Sequence, residues 1–203
     1  MVPNPKISPK TTLSITTPTV NWTSLTLTGD DGETTALTLH NFSVPAVLDS
    51  GTTLTYVPGA LLTPLVKYFN AELDPRYGYL ISCSAPNASL TYSLGSVDFP
   101  QANITVPFSE LVLPVIDQEG NVIPAVLKDG TTPACNFGFA NSDLSFNVIG
   151  DTFLRSAYVV YDLDKKEVGI AQADRSSSTP ENIVEIGEGG VSVCVGGGGS
   201  EQC

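Results

Sequence analysis

The chain has 203 residues, 41% of them hydrophobic and 15% charged, with a mean hydropathy of +0.13, enough apolar material for one folded domain with a sizeable core. Its 21 acids outnumber its 9 bases, giving a net charge of −12 and a pI near 4.2. Such a surface repels nucleic acid and anionic lipid, which excludes both as expected partners, and it suits a protein that works at low pH. The single histidine, His40, lies in the polar stretch Thr38-Leu39-His40-Asn41 and reads as a surface residue, so neither a histidine triad nor a multi-histidine metal site is expected.

From residue 11 to residue 44 threonine alternates with Leu, Ile, Val and Trp22, as in Leu13-Ser14-Ile15 and Leu25-Thr26-Leu27, with Gly29-Asp30-Asp31-Gly32 as a turn between. This is the composition of antiparallel strands and hairpins. The apolar run Val44 to Leu48 predicts a further strand, which ends at Asp49-Ser50-Gly51-Thr52. Leu54 to Val57 predicts the next. Leu61, Leu62, Leu65, Val66, Phe69 and Leu73 recur at helical spacing and predict the one substantial helix, starting late or kinked at Pro64.

Short strands are expected again from Leu80 to Phe108, then a hairpin from Leu111 to Ile123 around a turn at Asp117–Asn121, and a loop from Gly130 to Cys135. A dense apolar stretch, Phe146 to Leu154, precedes a hairpin of Ala157–Asp162 with Val168–Ala171. Residues 1–173 therefore read as one mainly β domain with one or two short helices. Residues 174–203 shift to serine, glycine and polar residues and read as a low-complexity, disordered tail.

The four cysteines, Cys83, Cys135, Cys194 and Cys203, have no zinc-knuckle spacing and no histidine partner; neither a metal nor another cofactor is expected. An even cysteine count beside four Asn-X-Ser/Thr sequons (Asn21, Asn41, Asn87, Asn103) fits an oxidising secretory route, with the asparagines on surface loops as glycosylation candidates. Pairing Cys83 with Cys135 would close a long loop inside the domain, and pairing Cys194 with Cys203 a short one in the tail. The segment from Met1 to Lys6 has no apolar core of a signal peptide and no stretch is long enough to span a membrane, so the expectation is a start upstream of Met1.

Asp-Ser-Gly is an ordinary turn sequence, since Asp and Ser bond their own backbone and Gly tolerates unusual conformations. Here, however, apolar strands flank it on both sides, so the acid sits near a core, with hydroxyl donors in Ser50 and Thr52 and close backbone approach at Gly51. Those are the parts that hold a carboxylate ionised or let it share a proton.

Ala46 to Leu54 together with Val148-Ile149-Gly150-Asp151-Thr152-Phe153-Leu154-Arg155 resemble the two signature segments of the C-terminal lobe of a pepsin-like aspartic protease. The wording through Asp164 is most similar to fungal secreted or cell-surface enzymes of the yapsin and candidapepsin kind. The resemblance spans roughly residues 10–173 and implies an all-β lobe of that fold. It implies that Asp49 is the second catalytic aspartate, that the Ser50 hydroxyl grips the partner lobe, that Gly51 offers its N–H and Thr52 its hydroxyl to the carboxylate, and that Val148-Ile149-Gly150 threads through the Asp49 turn. Thr53 and Asp151 match substrate-side positions, and Cys83 with Cys135 match the disulfide of the lobe.

The family's chemistry needs two such aspartates, and the chain holds one Asp-Ser-Gly and no second Asp-Thr/Ser-Gly. The resemblance therefore implies a peptide or protein substrate and an N-terminal lobe as partner, with the chain inactive by itself. Two alternatives stand beside this: a homodimer in the retroviral manner, and a half-protease that binds peptides or serves the cell wall without cutting.

Overall fold

The computed structural model describes residues 8–12, 19–84, 86–95, 101–142, 146–164 and 167–174. Strands dominate: β1 (Ser8–Thr12), β2 (Thr19–Thr28), β3 (Thr34–Ala36), β4 (Val44–Leu48) and β5 (Thr55–Val57) precede helix α1 (Gly59–Tyr68). Then come β6 (Glu72–Asp74), β7 (Gly78–Ser82), β8 (Ser89–Leu94), β9 (Ala102–Pro107), a 3-10 turn at Phe108–Leu111 and β10 (Val112–Leu113). The last part holds β11 (Ala134–Phe137), β12 (Phe139–Asn141), β13 (Asn147–Ile149), the one-turn helix α2 (Asp151–Leu154), β14 (Ala157–Asp162) and β15 (Glu167–Gln172). This is the expected all-β domain with two helices. The expected tail from residue 175 on and the Cys194–Cys203 pairing fall outside the described residues, as does the expected Leu13-Ser14-Ile15 strand.

The largest sheet runs β12-β5-β13-β4-β2-β8-β9, with β3 also paired to β2; β10-β11-β7-β6 and β1-β15-β14 form two smaller sheets. The threonine-rich β2 shows why the alternation matters: Val20, Trp22, Leu25 and Leu27 are buried, while Asn21, Ser24, Thr26 and Thr28 line the other face. An irregularity between Trp22 and Ser24, where β2 pairs with β8, lets the phase slip by one residue. On the inner face Trp22 stacks on Tyr92 at 5.2 Å, and Tyr92 meets Phe153 of α2 edge-on at 4.9 Å. Each such pair adds about 0.5–1.5 kcal/mol beyond burial and couples the sheet to the short helix behind the Asp49 turn.

Three expectations are corrected. Helix α1 runs through Pro64 from its start at Gly59, because the carbonyl that Pro64 leaves without a partner is that of Ala60, which water can reach. It ends sooner than expected: Asn70 turns left-handed (φ 49°), the Ala71 N–H donates to the Val66 carbonyl, and Leu73 falls in β6, exposed. Cysteine 135 lies in β11 and not in a loop, since Ala134, Cys135 and Asn136 pair with β7. The Leu111–Ile123 hairpin shrinks to a single bridge, Ile116 to Val122, although the Asp117 carboxylate does fold its turn by accepting the Glu119 and Asn121 N–H groups.

Cys83, just past β7, is bonded to Cys135 with their Cα atoms 5.0 Å apart, closing a separation of 52 residues. The unfolded chain loses entropy when such a loop is closed. Replacing both cysteines by serine should therefore lower the unfolding free energy by about 2–4 kcal/mol in urea denaturation, and an unchanged midpoint would show that the link adds nothing.

Candidate active site

Strands β4 and β5 are consecutive in the chain but not neighbours in the sheet. Between them lies β13, parallel to β4 (Ala46 to Asn147, Val47 to Val148, Leu48 to Ile149) and antiparallel to β5 at Val148 and Tyr56. The loop from Asp49 to Leu54 must therefore arch over the end of β13. Val148 and Ile149 fit that place because β13 is covered on both faces, where a polar side chain would lose its water. The buried Asn147 is tied in by an Nδ2–H bond of 3.1 Å to the Pro45 carbonyl.

Asp49 begins the arch. Its N–H donates to the Ile149 carbonyl (3.0 Å), which extends the β4–β13 pairing up to the acid. The carboxylate then receives one donor on each oxygen: the Gly51 N–H reaches Oδ1 at 2.9 Å and the Thr52 hydroxyl reaches Oδ2 at 2.6 Å. A Cβ on Gly51 would stand 3.3 Å from Oδ1, so glycine allows this approach without displacing the acid. The Thr52 hydroxyl, and after it the Gly51 N–H, hold the Asp49 carboxyl below the usual carboxylate range, against a smaller upward push from burial.

Gly150 closes the arch from beneath. A Cβ there would overlap the backbone carbonyl oxygens of Thr52 and Leu54. Directly after it, the first N–H groups of α2 donate to the same loop, Asp151 to the Thr52 carbonyl at 2.8 Å and Thr152 to the Thr53 carbonyl at 3.2 Å. These are amides that a helix start leaves without internal partners, so the loop satisfies them and is held in return. Arg155 fastens the other end of α2, with Nε 3.1 Å from the Glu110 carboxylate and Nη2 donating to the Glu110 carbonyl at 2.6 Å.

Asp49, Gly51, Thr52, Val148, Ile149 and Gly150 thus meet in one place. Ser50 and Thr53 stand exposed on the arch, and Asp151 sits half-buried in the first turn of α2. Cys135 lies in β11 of the four-stranded sheet and Cys83 just past β7 of the same sheet, apart from this cluster. All four sequon asparagines are exposed, and Asn41 and Asn87 are in loops as expected. Asn21 and Asn103 are corrected to strands β2 and β9, where the outward half of the alternation exposes them.

Sequence reasoning missed the support around the arch. The buried hydroxyls of Thr55 and Thr152 lie 3.1 Å apart, and the Gly138 carbonyl accepts from the Thr55 N–H (2.9 Å) and the Thr152 hydroxyl (3.4 Å). Tyr161 of β14 donates its hydroxyl to the Leu48 carbonyl at 3.4 Å, and burial, followed by the Asp49 charge, raises its pKa. In so threonine-rich a chain nothing local marks Thr55 or Thr152 as different.

Two substitutions test the geometry. Gly150→Ala forces the arch or β13 to move and should cost about 3 kcal/mol in urea unfolding. Thr52→Val removes the stronger donor, so the Asp49 carboxyl should titrate at higher pH in a 13C NMR titration. A carboxylate with a depressed folded pKa stabilises the fold above its unfolded value of about 3.9 and ceases to do so as pH falls through the folded value. In Thr52→Val the folded value moves up toward the unfolded one, so this contribution should be smaller and its loss on acidification should be complete at higher pH; an unmoved Asp49 titration would contradict the assignment.

The family described as eukaryotic aspartyl protease matches residues 9–173. Among curated relatives, a probable aspartic-type endopeptidase OPSB of Arthroderma otae is 42% identical over 154 residues, covering 74% of this chain and 30% of its own length. Candidapepsin-3 and Secreted aspartic protease 3, both of Candida albicans, are each 35% identical over 153 residues, covering 72% of this chain and 33% of their own. The chain spans about a third of the length of the curated relatives it matches. With one hydrogen-bonded aspartate in an arch threaded by an apolar-apolar-glycine strand, and a family match over residues 9–173, the chain belongs to the eukaryotic aspartyl protease family.

Proposed function

We propose that these residues form the C-terminal lobe of a secreted or cell-surface aspartic endopeptidase, with Asp49 as one of two carboxylates in a shared catalytic pair. The observation that carries this reading is the Asp49 carboxylate itself, with one donor on each oxygen and a strand locking its loop from below. The name of one relative, Secreted aspartic protease 3 of Candida albicans, supports the location, and the disulfide agrees with it.

Aspartic proteases are the standing example of two carboxylates too close to ionise together, which therefore hold one proton between them. The ionised member takes a proton from water as that water attacks the scissile carbonyl; the protonated member donates a hydrogen bond to the carbonyl oxygen. Thr52 and Gly51 suit Asp49 to this work because they fix the carboxylate plane while leaving lone pairs for a water and for a second acid. The second aspartate and the other wall of the cleft come from outside this sequence, which has no other Asp-Thr/Ser-Gly. Ser50, exposed at the crest of the arch, is the hydroxyl placed to meet that partner, and Thr53 and Asp151 border the peptide path.

The isolated chain should not cleave an acidic peptide library. Combined with a recombinant N-terminal half, it should cleave with a bell-shaped dependence centred at about pH 4, and Asp49→Asn should reduce kcat by at least about 10²-fold. A reconstituted pair that is inert, or that is indifferent to Asp49→Asn, would overturn the proposal. Cleavage by the chain alone, with a dimer in sedimentation, would favour the homodimeric alternative instead.

A further inference from the structure

Four exposed asparagines head Asn-X-Ser/Thr sequons, and among the described residues Asn103 alone has its side chain oriented by a row of hydrogen bonds. Ser24, Ser93 and Asn103 stand opposite one another on β2, β8 and β9. The Ser24 hydroxyl is 2.8 Å from that of Ser93, and the Ser93 hydroxyl is 2.7 Å from Oδ1 of Asn103. A hydroxyl has one proton to give, so Ser93 accepts from Ser24 and donates to the amide carbonyl. The row ends on Oδ1 of the exposed Asn103, and no hydrogen bond among the described residues occupies its Nδ2. Nδ2 is the atom that an N-linked sugar occupies, and a glycosylated amide keeps both its carbonyl and one N–H. A glycan at Asn103 therefore breaks none of these bonds.

The strand that carries Asn103 ends the large sheet. Two residues further on, the outward N–H and C=O of Thr105 are occupied by a side chain: the N–H donates to Oε1 of Gln172 at 2.7 Å, and Nε2 of Gln172 donates back to the Thr105 carbonyl at 3.1 Å. The same Nε2 donates to the Ser156 carbonyl at 2.9 Å, which anchors the clamp. Antiparallel pairing alternates, so Asn103, opposite Ser93, directs its own N–H and C=O to that outer edge too. An edge that offers free donors and acceptors templates pairing with another chain. Gln172 closes it at Thr105, and no strand of the described residues closes it at Asn103.

We propose that Asn103 is an N-glycosylation site whose glycan shields the open end of β9 beside the Gln172 clamp. This rests on the secretory routing proposed above, so the test supplies that routing. The full chain is expressed in yeast behind an added secretion leader, recovered from medium and cells, and deglycosylated by an amidase in 18O water. Tandem mass spectrometry then locates the isotope tag. The expected result is a tag at Asn103. An untagged Asn103 beside a tagged Asn41 or Asn87 would overturn the site. If the native gene product, made without the added leader, carries no sugar at all, the failure belongs to the routing. Thr105→Val removes the sequon but keeps Asn103 and Ser93; in sedimentation it should self-associate at concentrations where the glycosylated chain does not. Identical sedimentation of the two would overturn the shielding role.

Discussion

The structure depends on one crossing: β13 passes between the two strands that carry the Asp49 loop. Because β4 and β5 each pair with it, neither arm of the loop can move without breaking backbone hydrogen bonds in the middle of a buried sheet. Gly150 sets the clearance, since its missing Cβ is what lets the Thr52 and Leu54 carbonyls close over the strand end. The start of α2 adds two N–H donors to the same carbonyl group of residues, and the Trp22–Tyr92–Phe153 stack holds α2 in place from the core side. A carboxylate mounted on such an arch moves little, which is what positioned acid–base chemistry requires.

Electrostatics at the site follow from that mounting. Two short hydrogen bonds favour the charged form of Asp49 and hold its carboxyl below the usual carboxylate range. Proton sharing needs a second negative charge within a few ångströms, which raises one of the two pKa values. The proposed function assigns Asp49 to one side of such a pair; the chain spans about a third of the length of the matched relatives.

How much of this could be read beforehand divides along physical lines. Asp49-Ser50-Gly51-Thr52 and Val148-Ile149-Gly150 were legible because both motifs combine an apolar strand with a residue whose chemistry is required at one spot. The strand alternation of β2 and β9 was legible as well, since period-two burial leaves its mark on composition, and the β14–β15 hairpin was legible from two apolar runs joined by a short polar connection. The ends of helix α1 were not legible, because whether Pro64 breaks a helix depends on which carbonyl it leaves unpaired, and because the left-handed turn at Asn70 has no strong local signature. The Thr55–Thr152 contact and the Tyr161 bond to the residue before Asp49 join positions 97 and 113 apart in sequence, and pairings at that distance leave no trace in one sequence.

The central claim is that Asp49 shares a proton with a carboxylate from outside this chain. The direct measurement is the 13C titration of the Asp49 carboxyl, first in the isolated chain and then in a complex with an N-terminal half. Alone, Asp49 should titrate in a single step below the usual carboxylate range. In the complex that step should divide into two macroscopic ionisations, with one of them moved to higher pH. A single unchanged step in both samples would contradict the account.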